Sequence, residues 1–352
     1  MTGLCATTRI STGNTPEEAS MTDTPFKLAT IYSGHAPFVA MIIDDRGWGL
    51  DGLYKAWRQG KRGGALVGVT SIRLLLNDWD PNFEALCAMA DFVVAGNAPP
   101  ELEVDMSAAC YAPPIQNPGK MMYAAANYGG HIREMVEAGT AKTEAERESM
   151  LDRDKARVRP YSFLKAASAL SGAYDDIVIP PDTTRVDWEV ELALAIGRSG
   201  KRVAAERALD HVAGYMTTND VSARDWNMRE DWPTLRTDWF GGKSHDTFAP
   251  MGPYFVPRAF VPDYRDLRLT LKVSGETKQD GVAGEMVFSV EEQIEHCSTL
   301  ITLDPGDIIS TGTPEGVGHG AGTYLQAGDV VETEVEGLGA QRNNVVAEVV
   351  DG

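Results

Sequence analysis

Alternating apolar and polar positions mark the first elements. FKLATIY (residues 26–32) and PFVAMIID (37–44) carry the period-two pattern of strands, and DDRGWG (44–49) supplies turn residues between strands. Between residues 64 and 92 the period changes. Ile72, Leu75, Leu76 and Trp79, then Phe83, Leu86, Met89 and Ala90, recur at helical spacing, which predicts helix across that stretch. The Pro-rich segment 97–118 predicts extended chain. These elements predict a small N-terminal α+β domain over residues 25–115, its boundary near Pro113 to Gly119. Residues 1–24 are rich in Thr, Ser and Gly and lack an apolar core. They predict a disordered leader rather than a secretory signal, with Met21 as an alternative start.

Downstream, GKMMYAAANYGGH (119–131) reads as a buried strand running into a Gly-containing loop. The charged stretch AKTEAERESMLDRDKARV (141–158) reads as helix, either a solvated surface helix or part of a mobile lid. From Asp176 the chain is mostly short strands punctuated by Gly, Pro and Asp: VDWEVELALAIG (186–197), DLRLTLKVSG (266–275), GDIISTGTP (306–314) and GDVVETEVEGLG (328–339). Helices are expected only at Lys201–Leu209 and in SVEEQIEHCSTLIT (289–302). Residues 116–352 therefore read as a second, β-rich α+β domain.

The run VDWEVEL poses a chemical question. Asp187, Glu189 and Glu191 share one parity; Trp188, Val190 and Leu192 share the other. The acid face continues as Ala193 and Ala195. A solvated face rarely turns from acids into alanines, so the strand is expected to run into a core. Neighbouring like charges there raise each other's pKa and are costly unless compensated. A divalent cation removes the problem, and hard oxygen ligands suit Mg²⁺, Mn²⁺ or Ca²⁺. TTNDVSARDW (217–226) adds Asp220 at the end of a probable strand, although Asn and Asp there are also common turn residues. Spacing alone leaves the solvated-strand alternative open.

Composition narrows the classes. The chain has 352 residues, 43% hydrophobic and 24% charged, with a formal net charge of −19. The longest basic cluster is Lys61-Arg62 with Arg58 nearby, which argues against nucleic-acid binding. An acidic surface repels an anionic substrate unless a cation sits in the site. The four cysteines form no CxxC pair and read as reduced thiols of a cytoplasmic protein. No apolar stretch reaches membrane-spanning length.

Proton-transfer candidates are few, because the chain has only six histidines. His131, in NYGGHIRE, stands three residues before Glu134. On a helix starting near Gly130 the two touch, and the carboxylate can orient the imidazole as a base for water; the alternative is a surface helical pair. FGGKSHDTFAPMGP (240–253) holds Lys243, which can pair with a substrate carboxylate, cap the acid cluster or simply sit on a surface loop. STGTPEGVG (310–318) follows the strand GDII and offers backbone N–H groups and Thr hydroxyls to an anionic oxygen. It lacks the GxxxxGK[ST] pattern, which argues against a nucleotide phosphate loop.

ANYGGHIRE, VDWEVELALAIG, NDVSARDW, GGKSHDTFAPMGP and DPGDIISTGTPEGVG occur in the order and spacing of the fumarylacetoacetate hydrolase family. AGDVVETEVEGLG followed by NNVV resembles that family's closing strands, and the resemblance spans residues 115–350. It implies a mixed β-sandwich-like roll with a few peripheral helices, assembled as a homodimer. It implies Mg²⁺ or Mn²⁺ on Glu189, Glu191 and Asp220, and a His131–Glu134 dyad on a short helix that closes over the substrate. Lys243 and Thr313 would contact substrate or the metal-bound water, and Tyr128 and the Gly312 backbone would contact substrate. Three features depart from the pattern: Lys165-Ala166-Ala167-Ser168 replaces Lys-Pro-x-Ser, MMYAAANY lacks a glycine common in relatives, and residues 136–160 are longer than the usual link. The activity implied is metal-dependent hydrolysis of a C–C bond in a β-diketo, acylpyruvate-type 2-oxo acid. The alternatives are decarboxylation, isomerisation or dehydration of a 2-oxo acid through the same enolate. A non-catalytic binding protein is disfavoured, because every dyad and ligand position is filled.

Overall fold

The N-terminal alternation builds a five-stranded antiparallel sheet. Its strands are β1 (Lys27–Tyr32), β2 (Pro37–Ile43), β3 (Arg46–Gly49), β4 (Glu103–Val104) and β5 (Cys110–Ala112), in the order β4-β3-β2-β1-β5. β1 and β2 pair from Lys27↔Ile42 to Tyr32↔Pro37. The stretch 97–118 is therefore more than extended chain, since it supplies both edges of this sheet. The computed structural model describes residues 24–32, 36–59, 65–139, 141, 143–152, 158–229, 231–232 and 234–350. The expected leader up to residue 23 and the Lys61-Arg62 pair lie outside the described residues.

Among the described residues of this half the α-helices are α1 (Leu50–Arg58), α2 (Ile72–Leu76) and α3 (Trp79–Val94). The helix expected from residue 64 starts late and breaks at Asn77-Asp78, where Asp78 leaves helical geometry at φ −140° and ψ 56°. The buried Asn82 side chain explains the late start. It bonds Val67 N and O at 2.9 Å each and Leu75 O at 2.8 Å, which pins the preceding segment as irregular chain.

From residue 121 the elements are β6 (Met121–Ala125), α4 (Gly129–Glu137), α5 (Glu144–Leu151), β7 (Tyr161–Leu164), β8 (Leu170–Gly172), β9 (Ile177–Ile179), β10 (Val186–Asp187), β11 (Val190–Ile196), β12 (Val212–Asn219) and β13 (Ser222–Ala223). They continue as α6 (Arg224–Asn227), α7 (Trp239–Lys243), β14 (Ala249–Met251), β15 (Val256–Pro257), β16 (Arg268–Val273), β17 (Glu276–Val282), α8 (Val290–Leu300), β18 (Ile308–Ser310), α9 (Gly318–Ala321), β19 (Val330–Val335) and β20 (Gly339–Ala347). One sheet runs β7-β6-β18-β11-β12-β14-β8, with β15 also on β12; the other runs β17-β16-β19-β20-β9. Three pairs, β6/β18, β8/β14 and β9/β20, are parallel. β11 and β12 pack face to face on β16, β19 and β20. The class is α+β, a mixed β-sandwich roll with peripheral helices, as the resemblance implies.

Two local expectations change. Residues 201–209 do not form an α-helix; Ala205–His211 is a 3₁₀ stretch. VDWEVEL is not one strand either, because β10 pairs with β13 while β11 lies in the large sheet. Side chains replace the missing ladder. Trp188 N donates to Asp187 Oδ1 at 2.8 Å, Glu189 N to Asn219 Oδ1 at 2.9 Å and Val190 N to Gln279 Oε1 at 2.9 Å. This break frees the strand from strict alternation where the acids stand.

The two halves share one apolar core. Leu28 of β1 exchanges backbone bonds with Phe255 at 2.9 and 2.8 Å, and Trp79 of α3 meets the same ring edge-on at 5.4 Å. Among the described residues no helix is long and apolar enough to cross a membrane.

Candidate active site

Glu189 precedes β11, Glu191 lies within it, and Asp220 follows its neighbour β12. The Val190↔Asn219 register therefore brings the three acids to one place. One carboxylate oxygen from each lies within 4.8 Å of the others. All three are buried, at 5%, 0% and 0% exposure. Asp187, which shares their parity in the sequence, is also 0% exposed and joins the cluster.

Buried acids at this density need countercharge. Lys243 Nζ donates to Glu189 Oε2 at 2.9 Å and Asp220 Oδ2 at 2.5 Å. Arg224 donates to Asp187 Oδ2 at 2.8 Å and Glu189 Oε1 at 2.5 Å. Lys165 Nζ donates to Asp220 Oδ1, to Val221 O at 3.1 Å and to Phe248 O at 2.5 Å. Burial pulls the Lys165 pKa down to about 8, against the upward pull of Asp220. Burial alone would raise Glu189, but Lys243 and Arg224 hold its carboxyl well below the usual range.

Glu191 differs. Its Oε2 accepts from Ser310 Oγ at 2.5 Å and Gly312 N at 3.0 Å, while Oε1 is buried with no hydrogen-bond partner. Burial, then Asp220 and Glu189, push its pKa well above the ordinary value. Four buried acids thus face three cations, and the unmatched charge falls on an oxygen of the triad. That orphaned oxygen, within an all-carboxylate donor set, fits a hard divalent cation such as Mg²⁺ or Mn²⁺ held by Glu189, Glu191 and Asp220.

The dyad enters from α4. The glycines expected to form a loop, Gly129 and Gly130, are the first turn of this helix. Asn127 anchors the approach. Its side chain donates to Phe288 O at 3.0 Å and Thr311 O at 2.8 Å, tying α4 to the loop after β18. His131 Nδ1 lies 3.7 Å from Glu134 Oε2 and has no hydrogen bond, so the pair is in register but not closed. Glu134 is held from behind by Gly316 N at 3.1 and 3.3 Å. Gly320 leaves room for it, since a Cβ there would stand 2.2 Å from Glu134 Cγ.

A cavity of about 310 Å³ unites these groups. His131, Glu189, Arg224, Lys243, Thr313 and His319 are among its polar lining, with Arg159, Asn227 and Thr237 also on the wall. Ile132, Met135, Met150, Phe163, Trp239 and Phe288 give its apolar walls. A vestibule of about 1050 Å³ adjoins it and shares Arg224, Met228 and His319. Thr313 borders the cavity while its hydroxyl donates to Val190 O at 2.8 Å. Tyr128 and Gly312, expected against substrate, do not border this cavity. Tyr128 is buried behind α4 as its N-cap, and the Gly312 N–H is taken by Glu191. Lys243 is not a surface-loop lysine; it ends α7 and caps the acids.

The sequence reading missed the roles of Lys165, Arg224 and Asp187. One signal was present, because a buried acid cluster demands cations, and Lys165 and Arg224 both lie in the segments that carry the resemblance or its departures.

The model of the Fumarylacetoacetate (FAA) hydrolase C-terminal domain matches residues 120–346. The chain is 41% identical over 235 residues to the mitochondrial oxaloacetate tautomerase FAHD2A of Bos taurus, covering 66% of this chain and 68% of that protein. It is 45% identical over 189 residues to the 2,4-didehydro-3-deoxy-L-rhamnonate hydrolase of Sphingomonas sp. (strain SKA58), covering 53% and 65%. The crystal structure of maleylpyruvate hydrolase from Sphingobium sp. SYK-6 superposes with a TM-score of 0.67 at 26% identity, covering 92% of this chain and 100% of that one. These relatives are enzymes, and the chain belongs to the fumarylacetoacetate hydrolase family.

Proposed function

We propose that this protein is a metal-dependent hydrolase that cleaves a C–C bond in a β-diketo acid of the acylpyruvate type. The observation that carries this reading is the cavity. Glu189, Lys243 and His131 border the same space as a broad apolar wall, and that wall offers more than a four-carbon acid fills. An ion on Glu189, Glu191 and Asp220 supplies Lewis-acid chemistry toward the 2-oxo acid head and its enolate.

The chain's own residues supply the rest. Glu134, held by the Gly316 N–H, orients His131 so that its free ring nitrogen takes a proton from water. The hydroxide oxygen bonds to the distal carbonyl carbon. Collapse breaks the C–C bond and leaves its electron pair on the enolate, whose carbon takes the proton back from His131. Lys243 places positive charge at the cavity wall beside this developing negative charge. Phe163, Trp239 and Phe288 keep bulk water out.

A second reading, enol–keto tautomerisation of an oxaloacetate-like acid, is favoured by the likeness to the tautomerase. It uses the same base but no attacking water. Product analysis separates the two. Release of pyruvate and a carboxylic acid from an acylpyruvate, abolished by EDTA and restored by Mg²⁺, is the expected result. Interconversion of enol and keto oxaloacetate, with no cleavage of any acylpyruvate, would replace the first reading by the second.

A further inference from the structure

His319 borders both the catalytic cavity and the vestibule. Its position is fixed from three sides. Its backbone N–H donates to Asp187 Oδ2 at 3.0 Å, and that of Gly318 donates to Asp187 Oδ1 at 2.6 Å. Asp187 in turn accepts from Arg224, which grips Glu189, so α9 is tied to the acid centre. The ring is held by Tyr324, whose Oη lies 2.9 Å from Nδ1. This contact occupies Nδ1 and leaves Nε2 as the one ring nitrogen for the cavity; in the tautomer where the Tyr324 hydroxyl donates to Nδ1, the ring hydrogen sits on Nε2. Burial, then the nearby Arg224 charge, lower the imidazole's pKa and favour its neutral form.

We propose that His319 is a catalytic residue whose Nε2–H donates to the substrate oxygen beyond the 2-oxo acid head. In the hydrolysis proposed above that oxygen belongs to the carbonyl attacked by water. Water's proton goes to His131, its oxygen bonds to the carbonyl carbon, and the C=O electron pair moves onto the oxygen that His319 holds. The two imidazoles thus divide the work: one accepts a proton and the other donates a hydrogen bond. The identity of the oxygen rests on the proposed hydrolysis; the contact itself does not.

The test uses the full chain with Mg²⁺, acetylpyruvate as substrate and oxalate as a probe that has a head but no distal carbonyl. His319→Phe is expected to lower kcat about 10²-fold, with oxalate Kd within about twofold of wild type and about tenfold recovery in His319→Gln. An unchanged kcat, or an oxalate Kd that weakens in step with kcat, overturns the proposal. If the Phe variant does not fold, Tyr324→Phe serves instead, with an expected loss of about threefold to tenfold and unchanged oxalate binding; no loss overturns it. If wild type cleaves no acylpyruvate, the hydrolase reading fails, and binding decides the contact. Acetylpyruvate must then bind wild type about tenfold more tightly than His319→Phe. Equal binding overturns the proposal.

Discussion

The acid centre and the His131 helix meet in one cavity but are built in opposite ways. In the centre every carboxylate oxygen of Asp187, Glu189, Glu191 and Asp220 has a partner except Glu191 Oε1. Its elements are central strands, buried along their whole length. The dyad stands on a peripheral helix, its two members 3.7 Å apart and the His131 Nδ1 without a hydrogen bond. The difference teaches that the fold pins the acids through direct hydrogen bonds and ion pairs, whereas it leaves His131 and Glu134 in register without contact.

Four substitutions can break or sharpen that contrast. Lys165→Met should have the largest effect, because it strands a buried Asp220 oxygen and two carbonyls. Loss of one partner of a buried pair costs about 3–5 kcal/mol, so urea unfolding should show a loss of that size. A loss below about 1 kcal/mol would mean that the centre is not built on its ion pairs. Glu191→Gln should act on chemistry instead. Turnover should fall about 10²- to 10³-fold, yet the melting temperature of the metal-free protein should hold or rise, because the amide removes the unmatched charge. A melting temperature that drops as it does for the Lys165 variant would contradict the assignment of Oε1.

Glu134→Gln tests the other region. Turnover should fall about 10- to 10²-fold while Mn²⁺ affinity measured by calorimetry stays constant. A parallel loss of Mn²⁺ affinity would show that helix and centre are one unit after all. The smallest effect belongs to Arg236→Gln, which removes the 2.7 Å pair between the vestibule wall and Glu146 of α5. For so exposed a pair the stability change should stay below about 1 kcal/mol and vanish in high salt. A larger, salt-insensitive change would place α5 with the rigid part.

The site was more legible than the local geometry that makes it. Glu189 and Glu191 stand out because acids running into alanines are a local pattern, but with Asp220 and His131 they are assigned only through the order and spacing of the family's motifs. The break after Asp187 was not readable, since the groups that satisfy residues 189 and 190 come from Asn219 and Gln279, 30 and 89 positions away. Lys165 was visible only as a departure from the family's pattern, and its partner lies 55 residues downstream. Tyr128 and Gly312 show the reverse limit. They sit among functional neighbours in sequence, but a motif does not say which of its groups faces the substrate and which faces the protein.

The bridge between Leu28 and Phe255 bears on how separable the family-matching half is. Phe255 is fully buried because β1 and Trp79 cover it. The stretch that matches the family starts at residue 120, so a chain trimmed to that stretch would present this ring and the backbone edge beside it to water. The N-terminal sheet is therefore a cladding that the family-matching half carries with it, and any transplant of the site into another scaffold must bring a substitute for that cover.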